Sequence, residues 1–436
     1  MTEWDPEDER AWEAGNKAIA WRSLIVTTFA LVLAFAVWFM VSALVVRLPN
    51  AGFDLTSEQL FWLAAMPGLA AGTLRIVHTF LIPVFGSRHT VSVSTLLLTI
   101  PVLGWFFAVQ NTETPYAVLL LLAFLAGLGG GNFSSFMPST SLYFPKRLQG
   151  SALAIQAGIG NFGVSLVQFL TPVLIGTAVF GTAVGASQTL QTAAGPQQVW
   201  LQNATIIWLP LVLIAAAAAW YWLRSVPVRA NFREQSDIFR LKHTWIMTSL
   251  YFMTFGTFSG LAAAFPLLIQ NTYGGFENAP DPLTFAFLGP LVGSAFRIVG
   301  GPLSDRLGGA RVTHIAGIGL VVSAAVVTLF VTPESLAAFP WFVASMLAVF
   351  FFAGIGNAST FKQIPMLFDK RQAGGVIGWT AAIAAYGPFV LSGILGSVIA
   401  ATGDARAFFW ALTVFFAFNT ALNWWFYARR NAPHPC

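Results

Sequence analysis

Arg75 and Arg297 sit inside stretches that otherwise read as lipid-embedded helix, AAMPGLAAGTLRIVHTFLIPVF and LTFAFLGPLVGSAFRIVGG, and neither stretch contains a carboxylate. An arginine at the bilayer centre costs about 2.5–3.5 kcal/mol even on lenient insertion scales, so embedded charges mark functional sites. What a guanidinium offers is a planar fork of N–H donors that matches the edge of an oxyanion. With no fixed negative partner in either stretch, the pattern points to a mobile anion. The alternative is that one or both side chains snorkel to an interface or stabilise a helix end. Their depth, eleven residues before Gly86 and Gly308 in the adjoining turns, makes snorkelling difficult.

The elements that must position these residues are membrane helices. Of 436 residues, 56% are hydrophobic and only 9% charged, with a mean hydropathy of +0.72. A water-soluble chain of this size could not carry that surface. Apolar stretches long enough to cross the hydrocarbon core as helices recur twelve times, near 22–46, 60–84, 90–110, 115–143, 150–179, 200–223, 243–271, 283–304, 312–332, 336–368, 373–401 and 406–428. They are too long and too evenly apolar for barrel strands. The acidic, polar opening MTEWDPEDERAW does not read as a signal peptide, so the first span is expected to stay in the mature protein. The single cysteine, Cys436, allows no internal disulfide and no cysteine metal or redox site.

The net charge of +5 and pI near 9.6 do not imply nucleic acid here, because in a membrane chain the placement of charge outweighs its sum. Of 22 Lys and Arg, seventeen fall at one set of span ends, among them Lys146, Arg147, Arg229, Arg233, Lys370 and Arg371. Only Arg47 and Arg406 fall at the other, and Arg75, Arg297 and Lys362 lie within spans. The positive-inside rule then predicts both termini in the cytoplasm.

The second half repeats the first. Arg297 follows Arg75, and Gly308 follows Gly86, by 222 positions; GGGNFSSF (129–136) matches GIGNASTF (354–361) at 225, and FPKRLQG (144–150) matches FDKRQAG (368–374) at 224. The reading is an all-α polytopic protein of two pseudo-symmetric six-helix bundles, at 22–223 and 243–428. A cytoplasmic segment (1–21), a charged linker (224–242) and a tail (429–436) complete the division. Parallel repeats of this kind place substrate at the midplane between halves that rock, so Arg75 and Arg297 are expected to face one another there.

The turn Gly300-Gly301-Pro302-Leu303-Ser304-Asp305-Arg306-Leu307-Gly308-Gly309-Ala310-Arg311 resembles the loop motif of the major facilitator superfamily. The resemblance implies gating roles for Asp305, Arg306 and Arg311, with the Asp capping a neighbouring helix and pairing with Arg across the cytoplasmic face. The first-half counterpart, Phe85-Gly86-Ser87-Arg88-His89, lacks the Asp, so its gate is expected to be weaker or differently built.

Two spans are glycine-rich, with Gly127-Leu128-Gly129-Gly130-Gly131-Asn132-Phe133 in the fourth and Gly158-Ile159-Gly160-Asn161-Phe162-Gly163 in the fifth. Small residues one turn apart let helices approach until backbones touch, a packing face that any membrane bundle uses. Asn161 adds an amide where an unsatisfied polar group is costly. The fifth-span run, the Ser139–Gly150 stretch with Phe144-Pro145-Lys146-Arg147, both arginine segments and Trp4-Asp5-Pro6-Glu7-Asp8 are similar to the nitrate/nitrite porter family, the NarK-type proteins of that superfamily. The similarity covers nearly the whole chain and implies transport of nitrate and nitrite. It assigns the anion to Arg75 and Arg297, the signature amide to Asn161, and the seventh-span tyrosine to Tyr251. Phe133, Phe255 and Phe361 are the aromatic candidates, although ordinary packing is the alternative for each among 41 phenylalanines. Gly158, Gly160, Gly163, Gly378 and Gly387 are expected at conformational contacts. Physically, a planar monovalent oxyanion suits guanidinium edges and aromatic faces, whereas sulfate or phosphate would want more donors.

Two features depart from the family pattern. Ala384 stands where the family commonly has glycine, which predicts a looser or shifted approach there. Lys362 adds a third cation, expected to snorkel to the cytoplasmic face or to recruit anions. All 17 Asp and Glu read as terminal or loop residues, and His78, one turn from Arg75, is the one histidine well inside a span. Proton symport usually needs an embedded titratable group, so exchange of nitrate for nitrite is favoured, with His78-linked symport as the alternative. The branch-like Ser359-Thr360-Phe361 also resembles the antiporters. An enzyme is disfavoured by the lack of an acid–base pair, nucleophile constellation, metal cluster or phosphate loop, and no cofactor is expected. A less selective anion carrier or channel stays open. The expected setting is the bacterial inner membrane, as a monomer.

Overall fold

The computed structural model describes residues 4–192, 195–226 and 236–436. Among these, twelve helices are long and apolar enough to cross a bilayer. They are α1 (Glu9–Leu44), α2 (Ser57–His78), α3 (Leu81–Ala108), α4 (Tyr116–Tyr143), α5 (Lys146–Ile175), α6 (Asn203–Trp222), α7 (Lys242–Tyr273), α8 (Pro282–Leu307), α9 (Gly309–Val327), α10 (Leu336–Leu367), α11 (Gln372–Thr402) and α12 (Arg406–Ala428). In hydrocarbon a backbone must satisfy its own hydrogen bonds, which is why twelve apolar stretches become twelve helices. The architecture is the major facilitator fold, and the protein is a multi-pass membrane protein. The middle of the linker (227–235), including Arg229 and Arg233, lies outside the described residues, as do the side chains of Lys370 and Arg371.

Where helix ends differ from expectation the causes are local. Helix α2 stops at His78, with turn residues at Thr79 and Phe80, because Pro83 has no N–H to continue the ladder. The chain then reverses at Gly86 (φ +75°), and its repeat partner Gly308 (φ +91°) starts α9 in the same left-handed region. Only glycine enters that region without strain, so the repeat in sequence is a repeat in backbone geometry. Asp305, read as a loop residue, lies in the last turn of α8, Glu9 and Glu58 lie in first turns, and Glu13 lies one turn into α1. Several helices run past the hydrocarbon and carry charge at their ends. Between α5 and α6 a hairpin of β1 (Gln188–Thr192) and β2 (Gly195–Val199) pairs antiparallel. Leu190 and Val199 alone are buried in it, which leaves almost no alternating pattern to read.

Helices α1 and α7, the first of each half, are the most enclosed. Glycines set the closest approaches inside each half. A Cβ on Gly129 or Gly163 would overlap backbone of α1, and one on Gly354 would overlap Gly293 of α8. The N-terminal segment docks on the α4–α5 turn, where Trp4 Nε1 donates to the Leu142 carbonyl at 3.0 Å and the Glu7 carboxylate accepts from Lys146 N at 2.8 Å.

Polar contacts between the halves are distributed unevenly. Arg47 Nη2 donates to both Asp281 carboxylate oxygens at 2.7 and 2.5 Å. Asn271 donates to Ser57 Oγ, Gln168 to the Ala262 carbonyl, Ser165 to the Phe287 carbonyl, and Thr73 meets the Tyr386 hydroxyl. These lie on the side of Arg75 away from the basic turns. Among the described residues no hydrogen bond joins the halves on the basic side of Arg75.

Candidate functional site

Both arginines are drawn into the bundle. Arg75 is fully buried; its Nε donates to the Gly130 carbonyl at 2.9 Å and its Nη1 to the Ala381 carbonyl of the other half at 2.8 Å. The glycine run of α4 makes the first bond possible, because its bare backbone packs against α2 and Trp38. The Arg75 guanidinium faces the rings of Phe133 (4.7 Å), Phe255 (5.1 Å) and Trp38 (5.5 Å). Its second terminal nitrogen, Nη2, is buried without a partner.

Arg297 is 6% exposed and more loosely held. Its Nη2 reaches the Tyr251 hydroxyl at 3.4 Å, and its Nη1 is buried without a partner. The guanidinium faces Phe361 at 5.7 Å and Phe255 at 5.8 Å. Tyr251 stacks on Phe361 (4.2 Å, 16°) and on Phe255 (5.5 Å, 4°). A π-helical turn at Phe252–Gly256 lies at this point of α7, a distortion that is frequent at functional sites. Phe255 thus faces both guanidiniums. Six of the expected site residues, Arg75, Arg297, Tyr251, Phe133, Phe255 and Phe361, form one contiguous group. An unneutralised pair of buried cations is costly, and aromatic faces relieve only part of that cost. One monovalent anion accepting from the two unpartnered nitrogens would relieve more.

Asn161 is fully buried with both amide atoms unpartnered. It lies on the face of α5 that meets α8, between Gly158, where an added Cβ would press on Ile298, and Ser165, bonded to Phe287. It therefore shares the interface with the arginines. The glycines divide: Gly158 lies between the halves, whereas Gly160 and Gly163 press on α1 and Gly387 on Gly256 of α7, each within one half. Gly378 has room, since an added Cβ would meet only Thr79, at 3.5 Å.

At the basic end the Asp305 carboxylate pairs with Lys362 of the same half. The expected Asp–Arg pair across the face is replaced by a local pair, because Lys362 on α10 reaches the last turn of α8 directly. Arg306 and Arg311 are exposed on the same turn. His78 is buried with Nδ1 at 2.8 Å from Ser135 Oγ.

Sequence reasoning missed Trp38 and the carbonyls of Gly130 and Ala381. Trp38 is one aromatic in a uniformly apolar helix, and a carbonyl acceptor leaves no residue-type signal; the glycine run was the available hint for Gly130. Ser294, fully buried one turn before Arg297 with its hydroxyl unpartnered, was also passed over.

Comparison with known proteins gives a consistent picture. The family model described as Major Facilitator Superfamily matches residues 27–361 and 283–435. The chain is 64% identical over 437 residues to a probable nitrate/nitrite antiporter NarK2 of Thermus thermophilus, covering 100% of this chain and 98% of the relative. It is 35% identical over 454 residues to the nitrate/nitrite transporter NarU of Escherichia coli (99% and 96% covered). It is 27% identical over 417 residues to a nitrite extrusion protein of Bacillus subtilis (94% and 96% covered).

Proposed function

The chain belongs to the nitrate/nitrite porter family of the major facilitator superfamily, and from that premise we propose that it exchanges nitrate for nitrite by alternating access. The observation that carries the reading is the pair of buried guanidiniums, one from each half, each with a terminal nitrogen unpartnered and each against the Phe255 ring. Nitrate is flat and singly charged, so one ion can accept from Arg75 Nη2 and Arg297 Nη1 while aromatic rings cover its faces. Tyr251, Phe133 and Phe361 complete those walls, and Asn161 supplies an amide from the facing helix.

The same geometry favours exchange. With the site empty, the two cations repel and oppose closure of the halves; one bound anion removes that repulsion and lets them rock. Both directions then require cargo. Nitrate and nitrite carry equal charge, so a turnover moves no net charge and needs no proton. The polar contacts between the halves support a state sealed on the side of Arg47–Asp281 and released on the basic side. Asp305, Arg306 and Arg311 would tune that release, with Lys362 as the local partner of Asp305. In this reading the protein works as a monomer in the bacterial inner membrane, with the basic end and both termini in the cytoplasm.

Counterflow into liposomes tests the proposal. Labelled nitrate is expected to enter when nitrite or nitrate is inside, and not when the lumen is empty. Accumulation driven by a pH gradient alone, with no internal anion, would replace exchange by proton symport and direct attention to His78. Flux at channel rates without counterflow would exclude a carrier.

A further inference from the structure

Serines within a helix ordinarily return their hydroxyl to a carbonyl three or four residues back, as Ser304 does to Gly300 and Ser323 to Gly319 in this half. Ser294 does not: it is fully buried on α8, and its Oγ has no partner. Two contacts set its depth against α5. Gly158 of α5 lies against Ile298, and Ser165 of α5 bonds the Phe287 carbonyl, so the helices run antiparallel across the interface. Between those two points Asn161 and Ser294 fall at the same depth. Two buried polar side chains, both unpartnered, therefore meet the interface one turn from Arg297, an arrangement that is costly unless something polar fits between them.

Resting on the reading that the arginines hold the anion, we propose that Ser294 donates to the third oxygen of nitrate and, with Asn161, sets the preference for nitrate over nitrite. Nitrate has three acceptor oxygens. If Arg75 Nη2 and Arg297 Nη1 serve two of them, the third needs donors from the α5–α8 side. Nitrite has only two oxygens, so it loses nothing when the third donor is removed. A site built to hydrogen-bond a group discriminates sharply against an analogue lacking it, because its own buried polar atoms are then left unpaired.

The test is the half-saturation constant for each labelled anion in proteoliposome counterflow. Ser294→Ala is expected to raise the nitrate value about tenfold, as for loss of one hydrogen bond to a charged group, and to change the nitrite value by less than about twofold. Ser294→Thr, which keeps the hydroxyl, is expected to keep the wild-type ratio. Ser345→Ala, at a hydroxyl folded back onto Phe342, serves as the control for a generic serine deletion. Equal weakening of both anions by Ser294→Ala, or no change in either, would overturn the inference. Arg297→Lys separates the two levels. If it leaves both anions at wild-type values, the arginine site itself fails; if it impairs both while Ser294→Ala leaves the ratio unchanged, only the role of Ser294 fails.

Discussion

Arg75 and Arg297 occupy equivalent positions in the two halves, yet the first is held by carbonyls of both halves and the second by one long contact to Tyr251. Arg75 is ringed by Trp38, Phe133 and Phe255 at 4.7–5.5 Å, whereas Arg297 faces two rings at 5.7–5.8 Å. The sequence repeat delivers the same residue type at the same depth, and the packing around it decides what the residue does. Arg75 is built into the fold: its bond to Ala381 crosses between the halves, so the proposed rocking would strain or break it. Among the described residues Arg297 bonds only within its own half, which would leave it free to turn toward an anion in the proposed cycle.

The largest expected effect follows from that difference. Arg75→Lys replaces a fork by a single ammonium that cannot serve both carbonyls, so at least one charge-assisted bond, worth about 1.5–3 kcal/mol, is lost. Counterflow is expected to fall to about 1% or less, a loss of about 2.7 kcal/mol or more in transition-state terms, and thermal scanning in detergent should show clear destabilisation. Arg297→Lys is expected to reduce transport about 10–100-fold with little change in melting. Equal melting shifts for the two variants would mean that both arginines are held equally firmly by the fold.

Among the described residues Phe255 is the one ring that faces both cations, so its removal tests whether they form one site. Buried cation–π contacts contribute about 2 kcal/mol each. Phe255→Leu, which keeps most of the volume, is expected to raise the nitrate half-saturation constant about tenfold or more. Tyr251→Phe should act more mildly, about two- to fivefold, because the hydroxyl it removes is 3.4 Å from Arg297 and a bond that long is weak. If Tyr251→Phe proved as damaging as Phe255→Leu, Arg297 would be as firmly positioned as Arg75, and the asymmetry would be lost.

How much of this was legible in the sequence depends on whether a feature lies in side chains or in backbone. The twelve spans, the paired glycines at 86 and 308 and the two arginines were all readable, because hydropathy, positive φ and buried charge each demand particular residue types. Tyr251, Phe255 and Phe361 were found through family likeness, since the chain's many phenylalanines give no ranking. The partners that distinguish the arginines were not readable: Gly130 and Ala381 contribute only carbonyls, and Trp38 is one large apolar residue among many. The pairing of Asp305 with Lys362, in place of an arginine, depends on how closely α8 and α10 pack, and that is set by Gly293 against Gly354, far along the helices.

A comparably small effect is expected at a contact in which the halves should behave alike. Arg47 and Asp281 close the interface opposite the basic end, with side chains 11% and 41% exposed. A partly exposed pair of this kind contributes about 0.5–1 kcal/mol, so its loss should shift the balance of states about two- to fivefold. Asp281 also caps the start of α8 by accepting from Leu283 N, and Asn preserves that cap, so Asp281→Asn removes the charge with little other damage. The readout is alkylation of Ser42→Cys, a buried position behind the seal, where Ser42 Oγ accepts from Gln168. The native Cys436 thiol, pushed up to about 12 by burial, remains protonated and slow to react near neutral pH. Asp281→Asn and Arg47→Gln should speed labelling at position 42 about equally, because each removes the same ion pair. A large difference between them would mean that the seal, like the arginine pair, is anchored in one half, and the asymmetry would then belong to the whole interface instead of the anion site.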